Sequence, residues 1–577
     1  MSSHGLSHPA WVFPKENPEL AQKIIKEFQV HPVIARILVS RGLISLDRIH
    51  QFLYAKLPSL FNPRLFPDMD KAVNRVMAGI ANKENILIYG DNDVDGMTST
   101  ALLVEFLQRI GASVFFFVPN RNILQRSFTR NALEFALSKK CSLIITVDCG
   151  ITAADEIDEI VQNNIDVIIT DHHEPTSRIP HCIATLNPKL INSTYPNRSL
   201  TGVGVAFKLA HAITNHLIEE GKIAENEIDL KDYLDLVALG TIADMGSLLG
   251  ENRILVRYGL TQLRNTKRIG LSKLCNISEL ETIDVTPIDI ASKVAPRLNS
   301  LGRIADSHKG VELLLIKDET QAEILAKELD LYNLERQKIE RSATEDIERH
   351  ILRHPNILNE KAIVLHSKNW HPGIIPIIAA RLSKYYNRPT LIISIDKGLG
   401  KGSIRTIPEF PLLNVLKKYS NYLVNFGGHD CAAGLTIKEN NIEQFKKLFI
   451  DYSNEYLKDQ DLVTKLYLDA KVNFSELTFD FMESFSLFEP FGNENPPPLL
   501  YSDVSQIWTP KVVGKIHLKM FLEQNERMLE GIGFGMANRR NQLRRKKIPL
   551  RVAFSPHINM FLNKASIQLQ IKDFQLN

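Results

Sequence analysis

Four short segments rich in aspartate and histidine each follow directly on an apolar run, and they constrain the fold more than any other feature. They are Asp91-Asn92-Asp93-Val94-Asp95-Gly96, Asp148-Cys149-Gly150, Asp171-His172-His173-Glu174 and Thr241-Ile242-Ala243-Asp244. We interpret the apolar runs before them as strands. The carboxyl ends of strands in an open parallel sheet meet at one crevice. The sequence therefore predicts that these acids and imidazoles share a site.

Short apolar runs alternate with helix-like stretches between residues 84 and 250. The strand candidates, rich in β-branched and aromatic residues, are 86–89, 113–118, 143–147 and 167–170, with the run 234–242 before Asp244 as a further one. A second alternation follows as a strand at 362–366, a helix at 373–385 and a strand at 390–395. This order is typical of a mostly parallel sheet covered by helices, so the predicted fold class is α/β.

A long uninterrupted helical pattern separates the two alternating regions. Residues 318–354 contain neither glycine nor proline, and their apolar positions recur at helical spacing. Asp318 and Gln321 resemble a capping box. The pattern predicts one connector helix of about 50 Å between two lobes. Two packed helices with a break near Asn333 are the alternative.

The pattern of apolar and polar residues changes again near residue 465. The runs 517–522, 528–534, 550–554 and 566–571 are typical of the strands of a small β-barrel. Within this region the basic residues Arg539, Arg540, Arg544, Arg545, Lys546 and Lys547 occur without an intervening acid. This run predicts either a path for phosphates or a solvated loop. The net charge of only +3 means that any basic surface must be local.

The composition excludes several other classes of protein. Five scattered cysteines without a C-x-x-C pair suit free thiols in a reducing compartment. No secretory signal is visible, and no apolar run reaches the roughly 18 residues of a membrane span. We therefore expect a cytoplasmic protein that makes no membrane contact.

The residue types of the four segments indicate their chemistry. Carboxylate oxygens and imidazole nitrogens suit Mn²⁺ or Mg²⁺, whereas a structural zinc site would use thiolates. Two such ions could clamp the attacking and leaving oxygens of a phosphodiester. The alternative of a calcium-binding loop at residues 91–96 lacks a closing glutamate. His172 and His173, adjacent at a strand end, point in different directions, so both are not expected on one ion.

The segments GDNDVDG (90–96), VDCG (147–150), TDHHE (170–174) and ALGTIAD (238–244) resemble the ordered motifs of the DHH phosphoesterases. Later segments are similar to the RecJ single-strand-specific exonucleases within that family. They are PRLNSLGR (296–303), WHPG (370–373), GSIR (402–405), FGGH (426–429) and FEPFG (488–492). The resemblance extends from about residue 40 to the end. In the stretch 125–129 this chain has Gln-Arg-Ser-Phe-Thr where the family usually has Glu-Gly-Tyr-Gly.

The resemblance implies a set of site residues. It implies metal ligation by Asp93, Asp95, Asp148, His172 and Asp244, with Asp91 as an outer carboxylate. It places His173 at the scissile phosphate and Asp171 as the partner that orients an imidazole. It implies substrate contacts by Arg121, Arg297, Arg303, Ser403, Arg405 and His429.

The resemblance also implies a domain order. This order is an N-terminal helical segment (1–75), a DHH catalytic domain (76–315), a connector helix (316–356), a DHHA1 domain (357–462) and an OB-fold nucleic-acid-binding domain (463–577).

The activity implied is 5′-to-3′ degradation of single-stranded DNA to 5′-mononucleotides, through water activated by two Mn²⁺ or Mg²⁺ ions, in DNA repair and recombination. The implied partners are a single-strand-binding protein and a helicase, with the enzyme itself a monomer. One alternative is a DHH phosphodiesterase for short oligonucleotides or cyclic dinucleotides, although such enzymes typically lack the barrel. A second alternative is a non-catalytic replication scaffold, which loss of metal ligands would mark.

Overall fold

The computed structural model of the chain describes residues 9–119, 128–280, 284–543, 547–561 and 564–576. It confirms the α/β class, with a parallel first sheet, a second α/β sheet and a C-terminal barrel. Across these ranges, no helix has the combination of length and apolar character that crossing a bilayer needs.

The helices are α1 (Pro18–Phe28), α2 (Pro32–Ser40), α3 (Leu46–Tyr54), α4 (Met69–Ala81), α5 (Val94–Arg109), α6 (Phe128–Ser138), α7 (Ala154–Gln162), α8 (Gly202–Glu219), α9 (Leu234–Ala243), α10 (Gly250–Arg264), α11 (Ile269–Ile277), α12 (Pro287–Asp289), α13 (Ala295–Ile304), α14 (His308–Leu315), α15 (Glu319–Arg353), α16 (Ile375–Tyr386), α17 (Leu412–Lys418), α18 (Ile442–Tyr456) and α19 (Phe479–Ser486). The strands are β1 (Ala10–Val12), β2 (Asn85–Gly90), β3 (Ser113–Phe117), β4 (Cys141–Val147), β5 (Asp166–Thr170), β6 (Ala184–Leu186), β7 (Ile363–Ser367), β8 (Thr390–Asp396), β9 (Leu399–Arg405), β10 (Leu423–His429), β11 (Ala432–Lys438), β12 (Lys465–Tyr467), β13 (Ala470–Lys471), β14 (Leu500–Gln506), β15 (Lys511–Val513), β16 (His517–Gln524), β17 (Arg527–Gly533), β18 (Ile548–Phe561) and β19 (Lys564–Leu576).

The first lobe is built on a five-stranded parallel sheet of order β3-β2-β4-β5-β6. The four strands predicted between residues 86 and 170 are β2 to β5, and β6 completes the sheet. Both faces of the sheet are buried: Ile86 and Ile88 of β2 pack into one apolar cluster, while Leu87 and Tyr89 pack into the other. Strands buried on both faces carry continuous apolar runs, as the sequence does here.

The apolar run before Asp244 is a helix, so its prediction as a strand was wrong. It forms α9, in which every residue from Leu234 to Ile242 is buried. A helix that is buried all round shows no amphipathic period, and a short apolar run of this kind does not distinguish a helix from a strand. Asp244 nevertheless lies at the carboxyl end of its element, next to the strand ends of the sheet.

The connector is a single helix, α15, as the absence of glycine and proline predicts. Its N-cap Asp318 accepts a hydrogen bond from the backbone N–H of Gln321 at 2.7 Å. Asn333 is buried inside the helix and accepts a hydrogen bond from Arg336 instead of breaking the chain. The first half of α15 packs into the core of the first lobe, and its second half packs into the core around α16.

The second lobe carries a five-stranded sheet of order β10-β11-β9-β8-β7. Only β7 and β8 pair in parallel, and the other neighbours are antiparallel. The glycine-rich segment after β8 is the strand β9 and not a loop.

The barrel and the N-terminal helices form one unit. The strands β13 to β19 form a seven-stranded sheet that an additional β14–β16 pairing closes. Apolar residues of α1, α2 and α3 share one core with the barrel, and β1 pairs in parallel with β12. The N-terminal helices are therefore packed against the C-terminal barrel.

Candidate active site

Two carboxylates follow β2 at the edge of the first sheet. Asp93 is the N-cap of α5, and its Oδ1 accepts a hydrogen bond from Gly96 N at 3.1 Å. Asp95 lies in the first turn of α5 and is buried. Its two oxygens accept hydrogen bonds from the amides of Gly202 and Val203, each at 2.8 Å, at the start of α8. A helix N-terminus favours a negative charge, which explains how Asp95 is held there.

Asp148 and His172 come from the ends of β4 and β5. Asp148 has a left-handed backbone with φ of 60°, and its N–H donates to Thr170 O at 2.9 Å. The start of α8 comes so close that a Cβ at Gly202 would lie 2.5 Å from Asp148 Oδ1. Only glycine permits this approach.

His172 Nε2 lies among three carboxylates. It is 3.0 Å from Asp148 Oδ1, 3.8 Å from Asp244 Oδ2 and 3.9 Å from Asp95 Oδ2. Both His172 Nε2 and Asp148 Oδ1 are buried, and because their contact with each other lacks hydrogen-bond geometry, neither has a hydrogen-bond partner among the described residues. A pair of orphaned buried atoms of this kind needs an explanation, and an ion is one that fits a nitrogen and an oxygen.

Three overlapping groups of side chains bring their ligand atoms within 4.8 Å of one another. The groups are Asp91, Asp93 and Asp148; Asp95, His172 and Asp244; and Asp148, His172 and His173. All of the predicted metal ligands are thus in one cluster, with Asp148 shared between groups. Oxygen donors with one or two imidazoles fit Mn²⁺ or Mg²⁺, and the overlap leaves room for more than one ion.

Burial and mutual repulsion disfavour the ionised forms of the carboxylates in this cluster. Burial and then the charges of Asp244 and Asp93 raise the pKa of Asp95, while burial and the charge of Asp95 raise the pKa of Asp148. Burial raises the pKa of Asp244 to about 7, with Asp93 adding to the effect. Burial lowers the pKa of His172 to about 4, so this imidazole is neutral and able to ligate. A divalent cation would compensate the charge of this cluster.

The ring of His173 lies close to that of His172, with 4.6 Å between the ring centroids, and one of its nitrogens faces Asp171. Its Nδ1 lies 2.8 Å from Asp171 Oδ1, and the side chain is half exposed whereas Asp171 is buried. Asp171 also accepts hydrogen bonds from the backbone amides of Ile151, His172 and His173. Burial alone would raise the pKa of Asp171, but the hydrogen bonds from His173 and the backbone lower it overall. The hydrogen bond with Asp171 raises the pKa of His173 to about 9.

Several residues that sequence reasoning missed support this cluster. Asn187 is fully buried, and its side chain donates to His173 O at 2.9 Å and accepts from Lys189 N at 2.8 Å. Ser307 Oγ donates to Asn92 O at 2.9 Å in the loop that carries the first aspartates. Nothing in the spacing of the sequence signals these contacts, because they depend on the approach of separate elements.

The predicted substrate contacts Ser403, Arg405 and His429 of the second lobe lie on one face of the sheet. Arg405 pairs in register with Ala432, which pairs with His429, and Ser403 occupies the corresponding place opposite Gly434. Registered neighbours point to the same face. Arg405 donates to Ile404 O at 2.9 Å and Ser403 Oγ at 3.3 Å, and it has no carboxylate partner among the described residues. Burial lowers the pKa of Arg405. An unpaired, half-buried guanidinium of this kind suits an anion.

The other predicted substrate contacts differ in their surroundings. Arg303 Nη1 donates to Gly373 O at 2.9 Å and so joins the two lobes. Arg297 forms an ion pair with Asp330 of α15 at 2.8 Å. His429 is exposed at the end of β10. Arg121 lies outside the described residues, as do Arg544, Arg545 and Lys546 of the basic run.

Comparison with known proteins shows which family has this sequence and these domains. Family models match residues 85–241 (DHH family, N-terminal domain), 359–455 (DHHA1 domain) and 468–573 (RecJ OB domain). The single-stranded-DNA-specific exonuclease RecJ of Bacillus subtilis (strain 168) is 33% identical over 572 residues, covering 98% of this chain and 70% of that protein. The chain belongs to the RecJ family. The RecJ of Dickeya dadantii (strain 3937) is also 33% identical, over 94% of this chain and 95% of its own.

Solved RecJ structures have the same fold. RecJ of Thermus thermophilus in complex with Mn²⁺ gives a TM-score of 0.82 at 27% identity, covering 98% of this chain and 80% of that one. The complex of the same RecJ with Mg²⁺ gives 0.75 at 25% identity, covering 98% and 78%. The resemblance to RecJ deduced from the sequence is thus confirmed.

Proposed function

We propose that this RecJ family member is a Mn²⁺- or Mg²⁺-dependent exonuclease that degrades single-stranded DNA from its 5′ end to 5′-mononucleotides, in DNA repair and recombination. The observation that carries the proposal is the position of His172 Nε2, 3.0–3.9 Å from three carboxylates at the sheet edge. The RecJ relatives are named single-stranded-DNA-specific exonucleases, and solved RecJ complexes hold Mn²⁺ or Mg²⁺.

The cluster fits two ions, held by Asp93, Asp95, Asp148, His172 and Asp244, with Asp91 at the outer side. When bound, the ions supply an activated water and neutralise charge on the phosphodiester. The chain itself fixes the ligands: the α8 amides orient Asp95, and burial keeps His172 neutral. The assignment of each ligand rests on its place in the cluster.

His173 is the proton donor in the proposed reaction. Asp171 accepts a hydrogen bond from Nδ1–H of His173, which orients the ring and favours its protonated form. The opposite nitrogen, Nε2, then carries a proton for the leaving oxygen, a role that general acids fill with a contribution of about 10²–10⁴-fold. Asn187 fixes the backbone of His173.

The 5′ preference is assigned to the second lobe. Arg405 offers an unpaired cation to a terminal phosphate, and Ser403 offers a hydroxyl. His429 lies on the same face of the sheet. The resemblance also implies a contact between the terminal phosphate and Arg121, which lies outside the described residues. Arg303 spans to the second lobe beside the metal cluster, whereas the ion pair of Arg297 with Asp330 leaves it a lesser role on the strand.

The barrel provides a reason for the choice of single strands. Trp508 is 49% exposed and packs edge-on against Phe521 at 4.9 Å, with Lys519 above the same ring. Phe534 is 54% exposed beside His517. Exposed rings stack on bases only when the bases are unpaired, and nearby cations follow the backbone. The barrel is therefore assigned as the nucleic-acid-binding domain.

The proposed partners follow from this activity. A helicase would supply unwound ends, and a single-strand-binding protein would cover the strand that the enzyme meets. A monomer is sufficient because one chain contributes every group of the cluster. Chromosomal DNA and five free thiols both suit the cytoplasm.

The test uses single-stranded DNA labelled at either end, a blunt duplex of the same sequence, Mn²⁺ and the full chain. We expect mononucleotides from the 5′ end of the single strand only, and none from Asp93→Ala. No digestion by a wild-type protein that binds Mn²⁺ would favour the scaffold alternative. Cleavage restricted to very short oligonucleotides would favour the small-substrate alternative.

A further inference from the structure

The turn that follows Asp244 adopts an unusual backbone conformation. Met245 has φ of 57°, a left-handed value that non-glycine residues rarely adopt. The backbone amides of Met245 and Gly246 close the end of α9 by donating to Ile242 O and Thr241 O. These two bonds form a Schellman motif, a common helix end in which the residue at the position of Met245 is left-handed. Asp244 precedes it directly, so whatever fixes this turn also fixes the direction of the Asp244 carboxylate.

A loop far away in the sequence fixes the turn. The side-chain amide of Asn493 donates to Met245 O at 2.6 Å, and Asn493 O accepts from Leu248 N at 2.9 Å. The neighbouring Glu494 accepts a hydrogen bond from Ser247 Oγ at 2.5 Å. One asparagine thus holds both ends of the turn.

The loop that carries Asn493 is itself rigid. Asn495 is 1% exposed, and its side chain donates to Phe488 O at 2.8 Å and to Pro490 O at 2.9 Å. A Cβ at Gly492 would lie 2.5 Å from Leu248 Cδ1, so the loop is packed closely against the turn. Side-chain amides that close a loop on its own carbonyls leave it few alternative conformations.

The same loop is tied to the unit of barrel and N-terminal helices. Arg41 of that unit donates to Asn495 Oδ1 at 3.3 Å and to Pro496 O at 2.9 Å. Arg41 also forms an ion pair with Asp469 at 2.8 Å. Arg41 therefore holds the loop at Asn495 and Pro496, and Asn493 of the same loop bonds the residue next to Asp244.

We propose that Asn493 is a positioning residue that sets the Asp244 carboxylate for metal binding, and that the barrel unit thereby completes the metal centre of the first lobe. This inference rests on the proposed role of Asp244 as a metal ligand. Partners outside the ligand sphere commonly change metal affinity by 10–100-fold because they orient the ligand. Asn493 acts one residue further out, through the backbone of Met245.

The test is calorimetric titration of the metal-free full chain with Mn²⁺. We expect Asn493→Ala to weaken Mn²⁺ binding by about 10-fold. The matched control is Asn163→Ala, which removes a side-chain amide that also donates to a backbone carbonyl, Glu159 O at 2.8 Å, on an exposed helix end. The control should bind Mn²⁺ as the wild type does. Unchanged Mn²⁺ affinity in folded Asn493→Ala would overturn the proposal.

A second variant keeps the test decisive if the alanine variant does not fold. Asn493→Asp has the same shape but places an acceptor against Met245 O, so it should weaken Mn²⁺ binding at least as much as alanine does. Wild-type affinity in Asn493→Asp would count against the proposal. The readout is independent of nuclease activity: a wild type that binds Mn²⁺ but leaves DNA intact would contradict the proposed function alone.

Discussion

The strand ends of the first lobe carry carboxylates, whereas the corresponding edge of the second lobe carries an arginine. In the first lobe, Asp95 and Asp148 are buried beside each other, and burial, followed by the charges of neighbouring aspartates, raises their pKa values. In the second lobe, Arg405 lies half buried without a carboxylate partner among the described residues, and its pKa falls. The described side chains at each edge do not neutralise the charge that the edge carries when it is ionised. In the proposed function a metal ion compensates the charge at the first edge and a phosphate does so at the second, so that the reaction and the binding of the strand end belong to different lobes.

The largest effect is expected when one carboxylate at the edge of the first lobe is replaced by a neutral amide. Asp148→Asn should lower the turnover by more than about 10³-fold, since it removes a ligand shared between two groups. The metal-free variant should nevertheless melt at a higher temperature than the wild type at pH 8. The reason is that an aspartate with a raised pKa stabilises the fold only while protonated, and this contribution is lost as the pH rises through its folded pKa.

The measurements are single-strand digestion and thermal melting in EDTA between pH 5 and 9. Asp451→Asn, an exposed aspartate of α18, is the control and should match the wild type in both. A metal-free Asp148→Asn that melts below the wild type at pH 8 would contradict the charge argument.

The next effect separates proton transfer from metal binding within the first edge. His173→Ala should lower kcat by about 10²–10⁴-fold while Mn²⁺ affinity stays within a few-fold of the wild type. Asp171→Asn should move the alkaline fall in kcat/KM to lower pH, because the carboxylate raises the pKa of His173. The pH profile of each variant checks this, and a profile of Asp171→Asn that coincides with the wild-type profile would exclude His173 as the acid.

A smaller effect is expected at the second edge. Arg405→Ala should raise KM for 5′-phosphorylated single strands by roughly 10–100-fold, the equivalent of the 1.5–3 kcal/mol of a charged hydrogen bond. Strands with a 5′-hydroxyl should be affected little. Arg405→Lys should recover only part of the loss, because lysine lacks the planar fork. Lys397→Ala, on the exposed turn before β9, is the control. An equal loss for both kinds of strand would refute the phosphate pocket.

The smallest effect concerns the barrel, which we propose contacts the strand away from either edge. Trp508→Ala should weaken binding of long single strands by about 5-fold, the lower end of what one stacked base contributes. Oligonucleotides too short to reach the barrel should bind unchanged. Phe479→Ala removes an equally exposed ring, 51% against 49%, at the start of α19 and serves as the control. Fluorescence anisotropy gives both affinities, and identical losses for the two variants would argue against stacking at Trp508.

The sequence predicted much of the fold because its signals are local. Strands β2 to β5 were found from their apolar runs, and the connector from the absence of glycine and proline. The run before Asp244 was assigned wrongly, since a helix buried on all sides has no period to detect. Asp244 was still placed correctly at the end of its element, because a strand and a helix over the run 234–242 would both end there.

The supporting contacts of the site could not be predicted. Asn187 resembles any turn asparagine until it is seen between His173 and Lys189. The α8 amides on Asp95 depend on a helix that starts more than a hundred residues later. The amphipathic N-terminal helices predict a buried face but do not reveal that the barrel covers it. Such contacts are set by tertiary approach, which a single sequence does not encode locally.

The shared core of the two chain ends has a consequence for biosynthesis. Helices α1 to α3 are synthesised before the barrel, and their residues Ile34 and Leu38 belong to the same apolar core as Phe554 and Phe574 of the barrel. At 5–20 residues per second, these apolar faces wait roughly 25–100 s for their partners. During that interval the newborn chain exposes surface that chaperones recognise, and a transcript cut short would leave it exposed for good.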